Sequence, residues 1–467
     1  ISEDGARLIG LEASSFWRDA RMAAAAWSGN ARLPGSHPWA HNYGGHQFGV
    51  WAAQLGDGRA MSLGEVVNGG QRWEVQLKGA GRTPYARFAD GYAVRRSSIR
   101  EYLAAEHLHA LRIPSARSLS LVFTDRVLPA SRGNHTLTRE LADYVIRHHF
   151  PDIDAESGSN TYVQLLERAV TDTACMVARW QAAGFCHGVM NTDNMSILGL
   201  TIDYGPYAFL DTYDPGFICN HSDPSGRYAF REQPRVALWN LTRLAAPLSV
   251  LIDHFGSKLE SKPGIDDVGS ESNHPETMTS DHIDAEPKPE TVRAITDTLN
   301  RFGTNFRKEY VFGYAPQIWP AKPDYQFAMC ALCRVPEALA AGSLEAVADQ
   351  LSQRSLDVSC DSSAWKHRVC DYFATVYGPH LADEDTDPAA LAARMKRENP
   401  NFVLRNWVAE DVIACADKGD EAWVDKVLSL LTTRAFDNHA PPGMEDAEKY
   451  AGPVPDWGEA LQCSCSS

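Results

Sequence analysis

Three side chains with oxygen ligands stand close together in residues 187–205, which read HGVMNTDNMSILGLTIDYG. Asp193 and Asn194 are adjacent, and Asp203 follows a short, mostly apolar run. Mg²⁺ prefers such hard oxygen ligands and often takes only one or two from the protein when substrate phosphates supply the rest. Asn194 and Asp203 are therefore candidate metal ligands. We expect the residues between them to form a short hairpin that places both on one side of the metal.

The spacing of these residues resembles the catalytic loop and metal-binding turn of protein kinases. A kinase loop reads His-Arg-Asp-Leu-x-x-x-Asn, in which the Asp accepts the substrate hydroxyl proton and the Asn holds a metal, and an Asp-Phe-Gly turn follows. His187 and Asn194 fall in register, and residues 203–205 read Asp-Tyr-Gly. The kinase base position, however, holds Val189, and a carboxylate stands beside the Asn instead, as Asp193. The loop indicates either an inactive kinase or an enzyme with other chemistry.

Elements that would hold a nucleotide precede this loop. The alternation in residues 60–77 predicts two strands joined by an Asn-Gly-Gly turn, which is a strong hairpin signal. Gly56, Gly58 and Arg59 enter the first strand, and Lys78 closes the second. Glycines let backbone N–H groups approach phosphate oxygens, and kinases clamp ATP with a strand lysine. The alternative is that the glycines only mark turns and that Lys78 is a solvated strand end.

The next helix supplies a carboxylate for this lysine. Residues 98–111 have helical apolar spacing, with Glu101 in the first turn. In a kinase such a carboxylate forms an ion pair with the strand lysine, here Lys78. Ser98-x-x-Glu101 is also a capping box, in which Glu101 only satisfies the helix start. Both roles remain open at this point.

Several segments around this helix complete the pattern. Asp90 and Gly91 form either a loop that touches the nucleotide or a plain turn. Residues 117–123 predict a strand, and an arginine-containing irregular passage follows at 126–139. A strongly amphipathic helix over residues 162–183 then leads into the loop that carries the candidate metal ligands.

Length and composition are those of a globular protein with several cores. The chain has 467 residues, of which 44% are hydrophobic and 22% charged. We predict an α+β, bilobal protein-kinase-like fold with a helical C-terminal extension. The expected divisions are an N-terminal extension at 1–40, a kinase-like N-lobe at 41–140, a C-lobe at 141–256, a disordered acidic insertion at 257–291 and a helical region at 292–467.

Charge and cysteine content exclude several classes of function. A net charge of −16 disfavours a nucleic acid or an anionic membrane as a partner. The chain has no run of eighteen apolar residues, so we expect no membrane span. It begins at Ile1 rather than Met, which indicates a fragment or a processed form. Ten widely spread cysteines favour a reducing compartment, and we expect Cys330 and Cys333 to pack in a helix rather than to bind a metal.

Longer stretches, from about residue 35 to the end, resemble the selenoprotein O family. This resemblance implies a pseudokinase fold and a protein adenylyltransferase. Such an enzyme binds ATP reversed relative to kinases and moves AMP to Ser, Thr or Tyr hydroxyls of proteins. The stretches that carry the resemblance are GGHQFGVW at 44–51, QLGDGR at 54–59, LKGAG at 77–81, HGVMNTDNM at 187–195, PGFICNHSD at 215–223, LRNW at 404–407 and the Cys-Ser-Ser end.

The resemblance also implies roles for individual residues. Asp193 would accept the hydroxyl proton, Asn194 and Asp203 would bind Mg²⁺ or Mn²⁺, and Glu101 would pair with Lys78. If ATP lies reversed, its α-phosphate meets the hydroxyl near the metal, so a displaced base suits a change of transferred group. The residues implied in nucleotide binding are Gly56, Gly58, Arg59, Lys78, Asp90, Gly91, Glu101, Arg126, Arg132 and Asp203.

The family ends in Cys or selenocysteine before Ser-Ser, which here is Cys465. We hypothesise that Cys219 and Cys465 form a reversible disulfide that ties the tail to the active lobe. A tail thiol without a partner, or Cys463 in place of Cys465, is the alternative. The resemblance further implies a mitochondrial protein if the source is eukaryotic and a cytoplasmic one if it is bacterial, and we expect a monomer.

One passage departs from the family pattern. Family members carry an Arg-Val-Ala-Pro-Ser-x-x-Arg segment whose arginines grip the buried end of the triphosphate. Here Arg126 matches, Arg132 is one residue out of register, and the passage to residue 139 is short. A shortened N-lobe favours one alternative function, an impaired ATP-binding scaffold. A conventional phosphotransferase is the other alternative.

Overall fold

A computed structural model of the chain describes residues 1–12, 14, 20–87, 89–121, 138–153, 160–255, 287–310, 324–352, 363–379, 387–459 and 461. Within these ranges the fold is α+β, with most strand residues in the first part of the chain and helices filling the remainder. The described strands pair as separate antiparallel two-stranded sheets.

Two hairpins follow two short helices at the start of the chain. The predicted hairpin at 60–77 is confirmed, and its turn uses Gly69 and Gly70 at φ values of 57° and 80°, which glycine adopts without strain. The hairpin before it was not predicted. These elements are helices α1 (Glu3–Leu8) and α2 (Ala20–Trp27), and strands β1 (Asn42–Gln47), β2 (Val50–Gly56), β3 (Ala60–Asn68) and β4 (Gln71–Lys78).

Helix α3 (Arg95–Ala110) is the helix predicted at 98–111, but it begins earlier. Its N-cap is Val94, which makes no side-chain cap, and Ser98 lies inside the helix with its Oγ donating to the Val94 carbonyl at 3.0 Å. The capping-box interpretation is therefore wrong, because Ser98 is not at the helix start. Most of the helix is buried, including Leu103 and Leu108.

The long helix predicted at 162–183 is confirmed as α5 (Thr161–Ala183), which follows α4 (Thr138–His149). Asn160 caps its start by accepting from Tyr162 N at 3.0 Å, and Gly184 ends it at φ 70°. Strand β5 (Phe185–Cys186) follows at once and pairs with β6 (Ala208–Phe209), so the loop between them is closed at its base.

Two predicted strand elements are wrong. The predicted strand at 117–123 has no strand structure over 117–121, and 122–123 lie outside the described residues. The hairpin predicted between Asn194 and Asp203 is also absent from this described stretch. A 3₁₀ turn at 192–194 and an isolated parallel bridge between Thr201 and Ser115 take its place, because the β5–β6 pairing already positions the loop.

The C-terminal half is helical, as predicted. Helix α7 begins at Pro289, so residues 289–291 at the end of the insertion predicted at 257–291 are helical; residues 256–286 lie outside the described part, and the insertion itself stays a prediction. The helices are α6 (Gln233–Phe255), α7 (Pro289–Glu309), α8 (Tyr325–Leu332), α9 (Val335–Ala341), α10 (Leu344–Ser352), α11 (Ser363–Tyr372), α12 (Pro388–Glu398), α13 (Asn406–Asp417) and α14 (Ala422–Thr433).

Two apolar cores hold these elements together. The larger core joins α3, α5 and α6 to α13 and α14, and the second packs α8–α12 against β5 and β6. Cys333 is fully buried in the second core, in agreement with a packing role. Among the described helices one stretch, Phe230–Asp253, is long and apolar enough to cross a membrane, but half of its most apolar window is buried inside the protein, which is typical of a core helix.

Candidate active site

A cluster of opposite charges joins β4, α3 and the turn that follows the 187–202 loop. The Nζ of Lys78 lies 2.7 Å from Glu101 Oε1 and 3.1 Å from Asp203 Oδ1. Burial by itself would lower the pKa of Lys78, but the two carboxylates outweigh it and raise this pKa. Burial would likewise raise the pKa of Asp203, but Lys78 outweighs it and lowers this pKa. Both groups are therefore charged at neutral pH.

The backbone that presents Asp203 is held by a buried histidine. Asp203 has a φ of 59°, in the left-handed region that Asp tolerates better than most residues. The Nε2 of His187 lies 2.8 Å from the carbonyl of Ile202, and burial lowers the pKa of this imidazole. A neutral ring therefore donates its Nε2–H to that carbonyl. Gln233 Oε1 accepts from His187 N at 2.9 Å and fixes the start of the loop.

Asn194 and Asp203 offer oxygen atoms that suit a hard cation. The buried Asn194 amide donates through Nδ2 to the Val189 carbonyl at 3.0 Å, which leaves Oδ1 as the atom it can offer as a ligand. Asp203 uses Oδ1 for Lys78, which leaves its second oxygen. An amide oxygen and a carboxylate oxygen fit Mg²⁺ when phosphates complete its coordination.

Asp193 directly precedes Asn194 in the sequence, and its environment differs from that of Asp203. Gln47 Nε2 donates to its Oδ2 at 3.4 Å, while its buried Oδ1 has no hydrogen-bond partner among the described residues. A Cβ added at Gly45 would lie 2.7 Å from this Oδ1. Burial raises the pKa of Asp193, and the hydrogen bond from Gln47 acts in the opposite direction. The carboxylate thus has an increased affinity for a proton.

The turn of the β1–β2 hairpin covers this part of the loop. His46 N donates to Thr192 Oγ1 at 2.7 Å, and Phe48 N lies 3.1 Å from Asn191 Oδ1 and 2.9 Å from the Tyr228 hydroxyl oxygen. The Tyr228 hydroxyl also donates to Asn191 Oδ1 at 2.6 Å. Sequence reasoning missed this contact. Its only signal was the GGHQFGVW stretch, which carried the resemblance without any assigned role.

The glycines before β3 are required first by packing. The Tyr85 side chain occupies the place that a Cβ of Gly56 would take, and a Cβ at Gly58 would lie 3.1 Å from Ala86 Cα. The charge of Arg59 lowers the pKa of Asp203, although less than Lys78 does, which places it near that carboxylate. Their contact with a nucleotide stays a prediction.

Asp90 and Gly91 form a tight turn against the chain that follows Lys78. Asp90 Oδ1 accepts from Tyr92 N at 3.0 Å, and Gly91 has a φ of 81° and packs on the backbone of Arg82. An antiparallel bridge between Ala80 and Tyr92 holds the turn in place. These contacts agree with a plain turn, and a role in nucleotide binding stays a prediction.

Helix α3, which carries Glu101, is fixed by the C-terminal helices. Arg95 Nη2 donates to the Ala416 carbonyl at 2.8 Å, and Arg100 Nη2 donates to Asn406 Oδ1 at 3.1 Å. Arg96 forms an ion pair with Glu410 of α13. Sequence reasoning also missed these contacts, because they join residues more than three hundred positions apart.

The predicted redox residues are only partly described. Cys219 is buried, and its Sγ lies 3.6 Å from Cys186 Sγ. Cys465, Arg126 and Arg132 lie outside the described residues, so the proposed disulfide and the predicted grip on the triphosphate stay predictions.

The chain is similar to known proteins over its whole length. A family profile described as "Protein adenylyltransferase SelO" matches this chain in two parts, residues 6–134 and 129–315. The two parts overlap at residues 129–134. A "Protein nucleotidyltransferase YdiU" from Paraburkholderia xenovorans (strain LB400) is 40% identical, and the alignment covers 100% of this chain and 90% of the relative. Proteins of the same name from Variovorax paradoxus (strain S110) and Thiobacillus denitrificans (strain ATCC 25259 / T1) are 42% and 38% identical, with 100% of this chain and 91% and 92% of each relative covered. The chain belongs to the SelO family of protein adenylyltransferases.

Proposed function

We propose that this protein transfers AMP from ATP to Ser, Thr or Tyr hydroxyls of other proteins. Membership of the family supports ATP as the substrate and proteins as the acceptors. The observation that carries the proposal is the separation of two kinds of carboxylate. Asp203 contacts Lys78 at 3.1 Å, whereas Asp193 is half-buried and its buried Oδ1 has no hydrogen-bond partner in the described part of the chain.

The proposal includes a kinase-like arrangement of two lobes, at 41–140 and 141–256. Three features support it: an ion pair between a strand lysine and a helix glutamate, a long helix that leads into the loop, and an Asp-Tyr-Gly turn after that loop. The kinase base position holds the apolar Val189, and Asp193 is the one carboxylate in the sequence 187–202 that could replace it as the proton acceptor.

The residues divide the reaction between them. Lys78, held by Glu101, neutralises phosphate charge, and a Mg²⁺ bound by Asn194 and Asp203 would stabilise the charge that develops at the α-phosphate. The acceptor hydroxyl oxygen bonds to the α-phosphorus, and the bond from this phosphorus to the bridging oxygen of the β-phosphate breaks. Asp193 takes the hydroxyl proton, and pyrophosphate leaves with the electron pair of the broken bond. The raised proton affinity of Asp193 suits this role.

We also propose reversible redox control through Cys219 and Cys465. Because Cys219 is buried, a disulfide with the tail requires Cys465 to reach its Sγ in the interior or Cys219 to become exposed, and a two-electron oxidant must take up the electrons of the two thiols. Compartment and assembly remain as inferred from the resemblance, namely mitochondrion in a eukaryote, cytoplasm in a bacterium, and a monomer in either case.

A second candidate function is an ATP-binding scaffold with impaired catalysis. The observation that favours it is the division of the family match at 129–134, inside the short passage where one of the predicted triphosphate-binding arginines is out of register. Loss of a grip on the triphosphate would weaken alignment of the α-phosphate more than binding of the nucleotide.

Transfer of label from ATP separates these functions. The purified chain and a mixture of acceptor proteins are incubated with Mg²⁺ and ATP labelled at either the α or the γ position. We expect α label on protein and no γ label, with the α label lost in Asp193→Asn. Label from the γ position would indicate a phosphotransferase. Binding of ATP without transfer of either label would indicate the scaffold.

A further inference from the structure

We propose that an arginine–tryptophan cluster beside the loop binds an acidic side chain of the protein substrate, close to the acceptor hydroxyl. The cluster consists of Trp239, Arg227, Arg243 and His46. This inference rests on the proposed function, since it concerns the acceptor of that reaction. It adds the chemical class of the acceptor segment, which the family relationship does not specify.

Two guanidinium groups share one indole ring in this cluster. The Cζ of Arg227 lies 4.6 Å from the centroid of the Trp239 ring, and the Cζ of Arg243 lies 5.1 Å from it. Both distances are within the range of a cation–π interaction. Holding two positive charges near one ring costs free energy, and an anion bound close to them would offset that cost.

Neither guanidinium has a carboxylate within ion-pair distance among the described residues. The nearby Asp223 is already used, because its oxygens accept from the backbone N–H groups of Arg227 at 3.0 Å and Tyr228 at 2.7 Å. The Nε of Arg227 is buried without a hydrogen-bond partner, and the side-chain hydrogen bonds of Arg243 within the described residues are two long ones to the Thr242 hydroxyl, at 3.4 Å. The exposed Arg243 therefore has donors available for an acidic group from outside the chain, and Arg227 adds a second positive charge on the same ring.

The cluster lies next to the proton acceptor. The His46 ring stacks edge-on against Trp239 at 5.4 Å between centroids, and the following residue, Gln47, contacts Asp193. Gly49 in the turn of the hairpin has a φ of 85°, and a Cβ there would lie 2.8 Å from Arg227 Cζ. The hairpin turn is thus shaped so that a guanidinium lies directly on it.

Charge and exposure favour a protein segment as the occupant. The whole chain carries a net charge of −16 and repels acidic proteins at long range, so a local pair of unmatched arginines provides discrimination between acceptors. Val50 and Trp51 of the same hairpin are 71% and 58% exposed and give a peptide apolar surface to pack on. Carboxylates bind guanidinium groups through short, charge-assisted hydrogen bonds.

The test uses two labelled peptides that are identical except for glutamate or glutamine on either side of a single tyrosine. Their Kd values for the full chain are measured by fluorescence anisotropy. We expect the glutamate peptide to bind roughly tenfold more tightly at low salt, and Arg227→Gln and Arg243→Gln to remove most of this preference. Arg235→Gln is the matched control, since Arg235 lies on α6 together with Arg243 but forms an ion pair with Glu232. Equal Kd values for both peptides on the unaltered chain would overturn the proposal. So would an unchanged preference for the glutamate peptide in a chain that carries both Arg227→Gln and Arg243→Gln.

Two further measurements separate the possible causes. The Kd for ATP should not change in either arginine variant, and a parallel loss of ATP affinity would overturn the proposal by making the cluster part of the nucleotide site. Transfer of α label is measured on the same samples. A glutamate preference without any transfer contradicts only the proposed function, whereas transfer without a preference contradicts only this inference.

Discussion

The two ends of the candidate site shift the pKa of a carboxyl group in opposite directions. At the Lys78 end, Glu101 and Asp203 contact the same ammonium group, and Lys78 lowers the pKa of Asp203 against the effect of burial. At the other end, burial raises the pKa of Asp193, whose buried Oδ1 has no hydrogen-bond partner within the described ranges. The first end keeps charges fixed, as binding of a metal and phosphates requires, and the second keeps a carboxylate ready to take a proton.

The two ends also differ in what supports them. Helix α3 positions Glu101 and is anchored to α13 and its neighbours by Arg95, Arg96 and Arg100. Asp193 is covered by the β1–β2 hairpin, which contacts the loop through a few hydrogen bonds and a glycine. The Lys78 end therefore depends on distant helices, whereas the Asp193 end depends on a close approach of backbone that only glycine allows.

The largest effect is expected from removing the carboxylate that contacts Lys78 and is proposed to bind the metal. Asp203→Ala should lower the rate of AMP transfer by about 10³-fold or more, because the developing charge loses its stabilisation. Transfer of α label from ATP measures it. Asp152→Ala, at an exposed carboxylate, is the control that should keep full activity. Near-normal transfer by Asp203→Ala would refute the metal assignment.

The next effect tests the glycine contact at the other end. In Gly45→Ala the new Cβ would lie 2.7 Å from Asp193 Oδ1, so the carboxylate must move. Transfer should fall by about 10- to 100-fold with an unchanged Kd for ATP, since a small misplacement of a reacting group has effects of this size. Gly303→Ala, inside α7 with only the end of the flexible Arg307 side chain 3.5 Å from the new Cβ, should leave kcat unchanged. A weaker ATP affinity in Gly45→Ala would place this contact in the nucleotide site instead.

A smaller effect, on ATP affinity, distinguishes the two roles considered for Glu101, namely the ion pair with Lys78 and the capping of α3. Glu101→Gln should weaken ATP binding by roughly tenfold, because Lys78 loses its nearest partner. Ser98→Ala should change neither ATP affinity nor stability appreciably, since Ser98 does not cap the helix. Isothermal titration with ATP and thermal unfolding of both variants check this. A destabilisation of about 1 kcal/mol in Ser98→Ala would restore the capping role.

The smallest effect concerns the turn before β3. The hydrogen bond that His41 Nδ1–H donates to the Asp57 carboxylate raises the pKa of His41, so protonated His41 stabilises the fold below the unfolded-state pKa of about 6.5. This contribution is lost as pH rises through the raised folded-state pKa. Because His41 is partly exposed, His41→Gln should cost only about 0.2–1 kcal/mol at pH 5.5 and almost nothing at pH 9. Denaturant unfolding at both pH values measures the difference, and an equal cost at both would exclude this ion pair.

Local patterns in the sequence predicted the strands and helices of the Lys78 end, whereas the pairing of Lys78 with Glu101 was inferred from the resemblance to kinases and to the family. Alternation and an Asn-Gly-Gly turn predicted β3 and β4, and helical spacing predicted α3 and α5. The prediction for α3 was wrong at its start, because Ser98 and Glu101 have the spacing of a capping box although the helix begins at Arg95. Their spacing alone does not say where the helix begins.

The contacts of the Asp193 end could not be predicted from local sequence patterns. The contact from Gln47 to Asp193 joins residues 146 positions apart, and those from α3 to the C-terminal helices are longer still. Periodicity describes which face of an element is buried, but it does not identify the partner across such distances. The hairpin signal of β1 and β2 was also hidden, because glycines and aromatic residues interrupt the alternation.

The division of labour between the two ends is tested most directly by comparing Asp193→Asn with Lys78→Met. For each variant the Kd for ATP and the rate of α-label transfer are measured on the full chain. Asp193→Asn should bind ATP with an unchanged Kd and transfer almost no AMP, whereas Lys78→Met should lose ATP affinity. Equal loss of ATP affinity in both variants, or normal transfer by Asp193→Asn, would contradict the account.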